Sequence, residues 1–290
     1  MSKAVVGRRP GRWTGVNVSA KYPVAGGERS MRLDQALHYR PEGEYIAEVV
    51  TSATLGRIAA VGQDQWGLVT RRQVELVGVP QTTVERLTAP GSVLERVAHG
   101  VYRLAGAPAP DHLELRAAWL QLAPGVFGWE RTPEQGVVSH RSAAELYGLG
   151  HLPADRHEFT LPDRKQTRRP EVRLHRRSFT DAEWVRHCGL PVTRPARIAS
   201  DLLYDREDPE AVAHIVADAI RGSYDYPGTF AGSLAAHAAR FGLRRDDGFG
   251  LLRWLLDLVG DPGMPRWLDE ARAYLDGAAA RCNAAGMVPR

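Results

Sequence analysis

The chain has 290 residues, room for two domains, and its 43% apolar and 25% charged residues are the balance of a soluble globular protein. No apolar run is long enough for a membrane helix, no signal-peptide pattern opens the chain, and Cys188 and Cys282 form no C-x-x-C pair. These exclude a spanning segment, a disulfide framework and a cysteine zinc site, and they place the protein in a reducing cytoplasm. Basic residues outnumber acidic ones 28 to 20 over residues 1–200, whereas acids lead 13 to 7 over 201–270. A basic front suggests a polyanionic partner, although only Lys3, Lys21 and Lys165 are lysines, so GC-rich coding also explains the arginines.

Residues 1–50 read as an N-terminal extension, and Met31 offers a second start. From residue 51 the pattern is regular. Leu55, Ile58, Ala59 and Gly62 line one helical face. Trp66, Leu68 and Val69 form an apolar bridge, and Thr70-Arg71-Arg72-Gln73 has the form of a capping box that opens a two-turn helix ending at Gly78. A third helix follows, with Pro80 in its first turn. Val84 and Leu87 face inward there, leaving Gln81, Thr82, Thr83 and Arg86 to solvent. Val93–Val97 and Val101–Leu104 read as strands joined by the three-residue loop Ala98-His99-Gly100.

Three short helices and a hairpin over residues 51–104 make a winged helix-turn-helix. Its third helix would enter the major groove. Arg86 suits guanine, Gln81 suits adenine, and Thr82 and Thr83 suit thymine methyls or phosphate. Arg71, Arg72, Arg96, His99 and Arg103 are the phosphate candidates. A winged helix used only for protein contacts is the alternative.

The run Gln65-Trp66-Gly67-Leu68-Val69-Thr70-Arg71-Arg72-Gln73, with Gly78-Val79 and Leu94 through Leu104, resembles the winged-helix domain of the AbiEi family. Gly189 through Arg197, continuing to Asp201-Leu202, resembles the second half of such proteins. The resemblance implies an antitoxin and transcriptional regulator of a type IV toxin–antitoxin system, active in phage defence. Such a protein binds double-stranded DNA at its own promoter repeats and counteracts a nucleotidyltransferase-like toxin. The N-terminal extension departs from the family pattern. So does Pro80, which stands where relatives often carry a small polar cap.

Residues 105–110 read as a linker, and residues 111–290 as a mixed, then helical, domain, giving the α+β class overall. Helices are expected after Asp111 as cap, over Ser139–Tyr147, after Thr180 with Glu183, over Pro195–Leu203, from Asp208 to Ile220, over Asp247–Val259 and over Trp267–Arg281. Strands are expected at Val137-Val138, His157–Leu161 and Glu171–His175. Between the last two lies a second basic patch of Arg164, Lys165, Arg168, Arg169, Arg173, Arg176 and Arg177. It reads either as a nucleic-acid contact or as a solvated arginine-rich loop. About five phosphate contacts there would give a log–log salt slope on the order of −4 to −5.

No catalytic residue, metal or cofactor is expected. Gly91-Ser92, Gly222-Ser223 and Gly232-Ser233 lack the acid pair of a nucleotidyltransferase, and His140, His151 and His157 have no metal-ligand spacing. Two alternatives stand beside the regulator. One is a metal-dependent nuclease using Asp163 and Lys165 with an upstream acid such as Glu145, Asp155 or Glu158. The other is a non-enzymatic interaction scaffold.

Overall fold

The computed structural model describes residues 52–284, so the expectations for residues 1–50 and the second start at Met31 lie outside the described residues. Helix α1 (Ser52–Gln63) buries Ile58, Val61 and Gly62, while Ala59 is exposed. A turn with Trp66 and Gly67 at positive φ leads into β1 (Leu68–Thr70), a buried strand where only an apolar bridge was expected. Helix α2 (Arg71–Leu76) starts on the capping box: Gln73 N donates to Thr70 Oγ at 3.0 Å, and Thr70 N donates to the Gln73 amide oxygen at 2.9 Å.

Helix α3 (Gln81–Leu87) follows a turn at Gly78, whose φ of +82° suits glycine. Pro80 is extended and precedes the helix, a correction to its placement in the first turn. Strands β2 (Leu94–Ala98) and β3 (Val101–Leu104) complete a three-stranded antiparallel sheet in the order β1-β3-β2. Ala98 pairs with Val101, so the hairpin loop is His99-Gly100, one residue shorter than expected, with a bulge between Arg96 and Ala98.

Helix α4 (Leu113–Leu122) is preceded by His112 in the left-handed region and has no side-chain cap, which corrects the role given to Asp111. Then come β4 (Val137–Val138), α5 (His140–Tyr147), β5 (His157–Leu161), β6 (Val172–Arg176), β7 (Trp184–His187) and β8 (Leu190–Thr193). They form a mixed sheet in the order β6-β5-β4-β8-β7, parallel at β5·β6 and β4·β8. Thr180 and Glu183 make a capping box, yet it opens a single 3-10 turn that runs straight into β7, not a helix. The helical end comprises α6 (Pro195–Tyr204), α7 (Pro209–Arg221), α8 (Pro227–Leu234), α9 (Gly248–Leu258) and α10 (Met264–Ala284). The class is α+β. Among the described residues no helix is long and apolar enough to cross a membrane.

One small core fills the winged helix (Ile58, Val69, Val74, Val84, Leu87, Leu94 and neighbours), while Leu68 and Val101 belong to the large core containing Leu115, Trp119 and Leu120 of α4. Buried polar contacts reinforce this junction. The Gln65 and Gln73 amides pair reciprocally at 2.9 Å. Gln65 also accepts from Gly128 N at 2.6 Å, Gln73 donates to the Val126 carbonyl at 2.9 Å, and Thr70 Oγ donates to the Pro124 carbonyl at 2.5 Å. Trp66 sits under the Arg116 guanidinium (4.3 Å), edge-on to Trp119.

In the helical end, His237 Nε2 lies 3.0 Å from Ser200 Oγ. Burial, helped by Arg240 and Arg177, holds the His237 pKa below its ordinary value. The unfolded chain therefore binds a proton, through and below about pH 6.5, that the folded chain resists, so stability is present above that pH and declines beneath it. Lowering the pH from about 7.5 to 5.5 is expected to lower the urea midpoint, and His237→Asn to shrink the fall. An equal fall in the variant would remove His237 from this account.

Candidate nucleic-acid interface

The α2–α3 pair is held from behind. Arg57 of α1 donates to the Val77 carbonyl at 2.7 Å, satisfying an acceptor at the end of α2. Helix α3 then turns Val84, Leu87 and also Thr83 inward. Thr83 is only 5% exposed, a correction to its place among the solvent-facing residues, and its hydroxyl lies 3.4 Å from Arg86 Nη2. The outer face is Gln81, Thr82, Glu85 and Arg86. The unanticipated member is Glu85, which accepts from Gln81 at 3.1 Å and lies 3.6 Å from Arg71.

The phosphate candidates differ in availability. Arg71 and Arg72 both bond Glu75, at 3.1 and 3.2 Å, and these hydrogen bonds hold the Glu75 carboxyl below the usual carboxylate range. Arg103 pairs with Glu95 across the β2–β3 strands at 2.5 Å. Arg96 and His99 stand exposed at the wing, 3.3 Å from each other. Arg71 lies between Glu75 and Glu85, so Arg72, the more exposed of the two, is the freer charge on α2, whereas Arg103 is neutralised locally.

The wing and the second basic patch meet at one residue that the sequence reading overlooked. Gln121 of α4 donates to the His99 carbonyl at 2.7 Å and accepts from Arg169. Lys165 donates to the neighbouring Leu122 carbonyl. Thus α4 carries the wing tip on one side and the start of the 164–177 segment on the other. The seven basic residues then divide. Arg173 pairs with Asp205 at 3.1 Å, and Arg177 pairs with Asp201 at 3.5 Å while lying over the Tyr204 ring. Arg164, Arg168 and Arg176 are exposed with no ion-pair partner among the described residues.

The nuclease arrangement is not assembled from the residues proposed for it. Lys165 is held on the Leu122 carbonyl, and Asp163 is exposed. Glu158 accepts from Arg141 N at 2.9 Å and faces His175, Asp155 faces Arg141, and Glu145 faces His112. The residues that could hold a metal are others, which spacing did not reveal: His140, His175 and Asp205, from α5, β6 and the residue after α6.

Residues 57–105 match the family model of the AbiEi antitoxin, a transcriptional regulator. This segment is similar to the AbiEi antitoxin domain. The matched span runs from within α1 through the end of β3, so the likeness falls on the winged helix, including α3, the wing and the Gln65–Gln73 pair. It ends before the Gly189–Arg197 stretch. No curated protein matches the chain.

Proposed function

We propose that the protein is a sequence-specific DNA-binding repressor of its own operon and the antitoxin of a type IV toxin–antitoxin system, acting in the cytoplasm against a nucleotidyltransferase-like toxin. Residues 51–104 read double-stranded promoter DNA, and residues 111–290 carry the antitoxin role. The observation that supports this reading is the AbiEi winged helix with Gln81, Thr82 and Arg86 displayed on α3. Arg86 can pair with a guanine edge and Gln81 with an adenine edge, once Gln81 leaves Glu85. Arg72, Arg96 and His99 would grip phosphates beside them, and the exposed Arg164, Arg168 and Arg176 extend the same electrostatic track.

Full-length protein titrated onto its own upstream DNA is expected to bind that sequence over unrelated duplex. Arg86→Ala should remove about 1–3 kcal/mol of discrimination at one base position. Arg72→Ala should weaken every sequence alike and reduce the salt slope by about 1. Replacing Arg164, Arg168 and Arg176 together should reduce it by about 3, at roughly 0.9 per phosphate. Binding that survives joint replacement of Gln81, Thr82 and Arg86 with its sequence preference intact would sink the DNA-reading assignment. The antitoxin assignment fails separately, if no nucleotidyltransferase is encoded beside this gene or if co-expression does not relieve growth arrest by one.

A further inference from the structure

We propose that His140, His175 and Asp205 form a binding site for a divalent transition metal of the zinc class. His140 is the residue that demands explanation. It is 1% exposed, and its Nε2 has no hydrogen-bond partner among the described residues, an arrangement rare for a buried ring nitrogen. It also opens α5 with a φ of +53°, a conformation that a side chain with a Cβ seldom adopts outside constrained sites. The atom left without a partner lies 3.9 Å from Asp205 Oδ2, and His175 Nδ1 lies 3.6 Å from the same oxygen. One nitrogen, oxygen or sulfur atom from each residue falls within 4.8 Å of the others. Ligands about 2.0–2.1 Å from a tetrahedral ion stand about 3.4 Å apart, so both contacts with Asp205 are within a few tenths of an ångström of that spacing before the His175 ring reorients.

The outer contacts are those of a metal site. His175 Nε2 lies 3.2 Å from Glu158 Oε1, an arrangement in which the ring donates to the carboxylate and turns its Nδ1 lone pair toward Asp205. His140 Nδ1 is 2.9 Å from Ser139 Oγ, which itself accepts from Thr160, and this fixes the ring. The His140 and His175 rings are stacked with centroids 3.5 Å apart. Two nearly parallel rings cannot both hold one ion in their plane, so loading turns His175 out of the stack.

Arg173 supplies the counter-charge without a metal: its guanidinium lies 3.1 Å from Asp205 and 3.5 Å from Glu158. It is half exposed and free to swing into solvent, so the arginine and a metal ion are alternative cations for the same carboxylate. This separates a metal site from a static ion-pair network.

The test is titration of Zn2+ into chelator-stripped full-length protein against a competing fluorescent indicator, with folding checked by circular dichroism. Wild type is expected to take up one equivalent that His140→Ala and Asp205→Asn lose or bind about tenfold or more weakly, while Arg173→Ala binds it more tightly. If His140→Ala fails to fold, Asp205→Asn and Arg173→Ala, whose side chains reach solvent, decide the matter. Uptake by wild type no different from that of Asp205→Asn, or no tightening in Arg173→Ala, overturns the proposal.

Discussion

Arg131→Ala is expected to destabilise the fold by about 3–5 kcal/mol, the range for a broken buried polar network. The guanidinium is 4% exposed and lies 4.3 Å over the Trp119 ring. It donates to the carbonyls of Trp119 at 2.5 Å, Leu120 at 2.6 Å, Ala123 at 2.6 Å and Val126 at 3.3 Å. These include the terminal acceptors of α4, which every helix must satisfy somehow. Many helices do so by turning a glycine left-handed, but α4 ends at Ala123 with φ −144°, so an arginine from outside the helix takes that part. Burial lowers the Arg131 pKa to about 9, still above neutrality, and the fork stays charged. Alanine would strand several buried acceptors and remove the ring contact. Lysine would keep the charge without the planar fork and should recover only part of the loss. Urea unfolding at neutral pH measures this directly, and a loss for Arg131→Ala below about 1 kcal/mol would refute the capping role.

Gly248→Ala is the second large effect, expected at about 2–4 kcal/mol. Gly248 is the first residue of α9, and a Cβ built on it would stand 1.8 Å from the Ala231 carbonyl oxygen and 2.8 Å from Ala235 N. Both obstacles are backbone, so no rotamer change relieves them and α8 and α9 must part. The chain supplies its own control in Gly232, which lies on α8 with nothing among the described residues within 4 Å of an added Cβ. Gly232→Ala should be neutral or stabilising by up to about 1 kcal/mol, because alanine loses less backbone entropy in a helix. Comparable losses at Gly232 and Gly248 would show that helix propensity, and not the close approach, governs this corner.

What could be read from sequence is chemistry that acts within a few residues. The Thr70–Gln73 box, the Asp208 and Asp247 caps and the glycine ending α5 each act across one turn, and each stands in the structure. The Thr180–Glu183 box marks the limit of such signals, because it reports how a turn begins and not whether a helix continues. Strand β8 (Leu190–Thr193) is buried throughout and so lacks the alternation that marks a half-exposed strand. Helix α8 reads PGTFAGSL, poor in helix formers, and is held by tertiary packing alone. For the site, the exposed face of α3 was readable apart from Thr83, which is buried, and Glu85, which belongs to it. The pairing of Arg103 with Glu95 and of Arg173 with Asp205, and the junction at Gln121, depend on strands and helices coming together. The same holds for His140, His175 and Asp205, 35 and 30 positions apart, which no local spacing rule can join.

The bonds from Gly128 N to Gln65, from Gln73 to the Val126 carbonyl and from Thr70 to the Pro124 carbonyl make the winged helix and the body behind it a single lever. A head on a slack tether would search for its site and tolerate operators of varied layout. On the proposed function, this one would carry its body's orientation onto the duplex. If two copies bind together, whatever surface joins their bodies becomes a ruler for the operator. Half-sites moved apart by a full turn of about 10 base pairs would still present the same face, while an added half turn would place the second site behind the DNA.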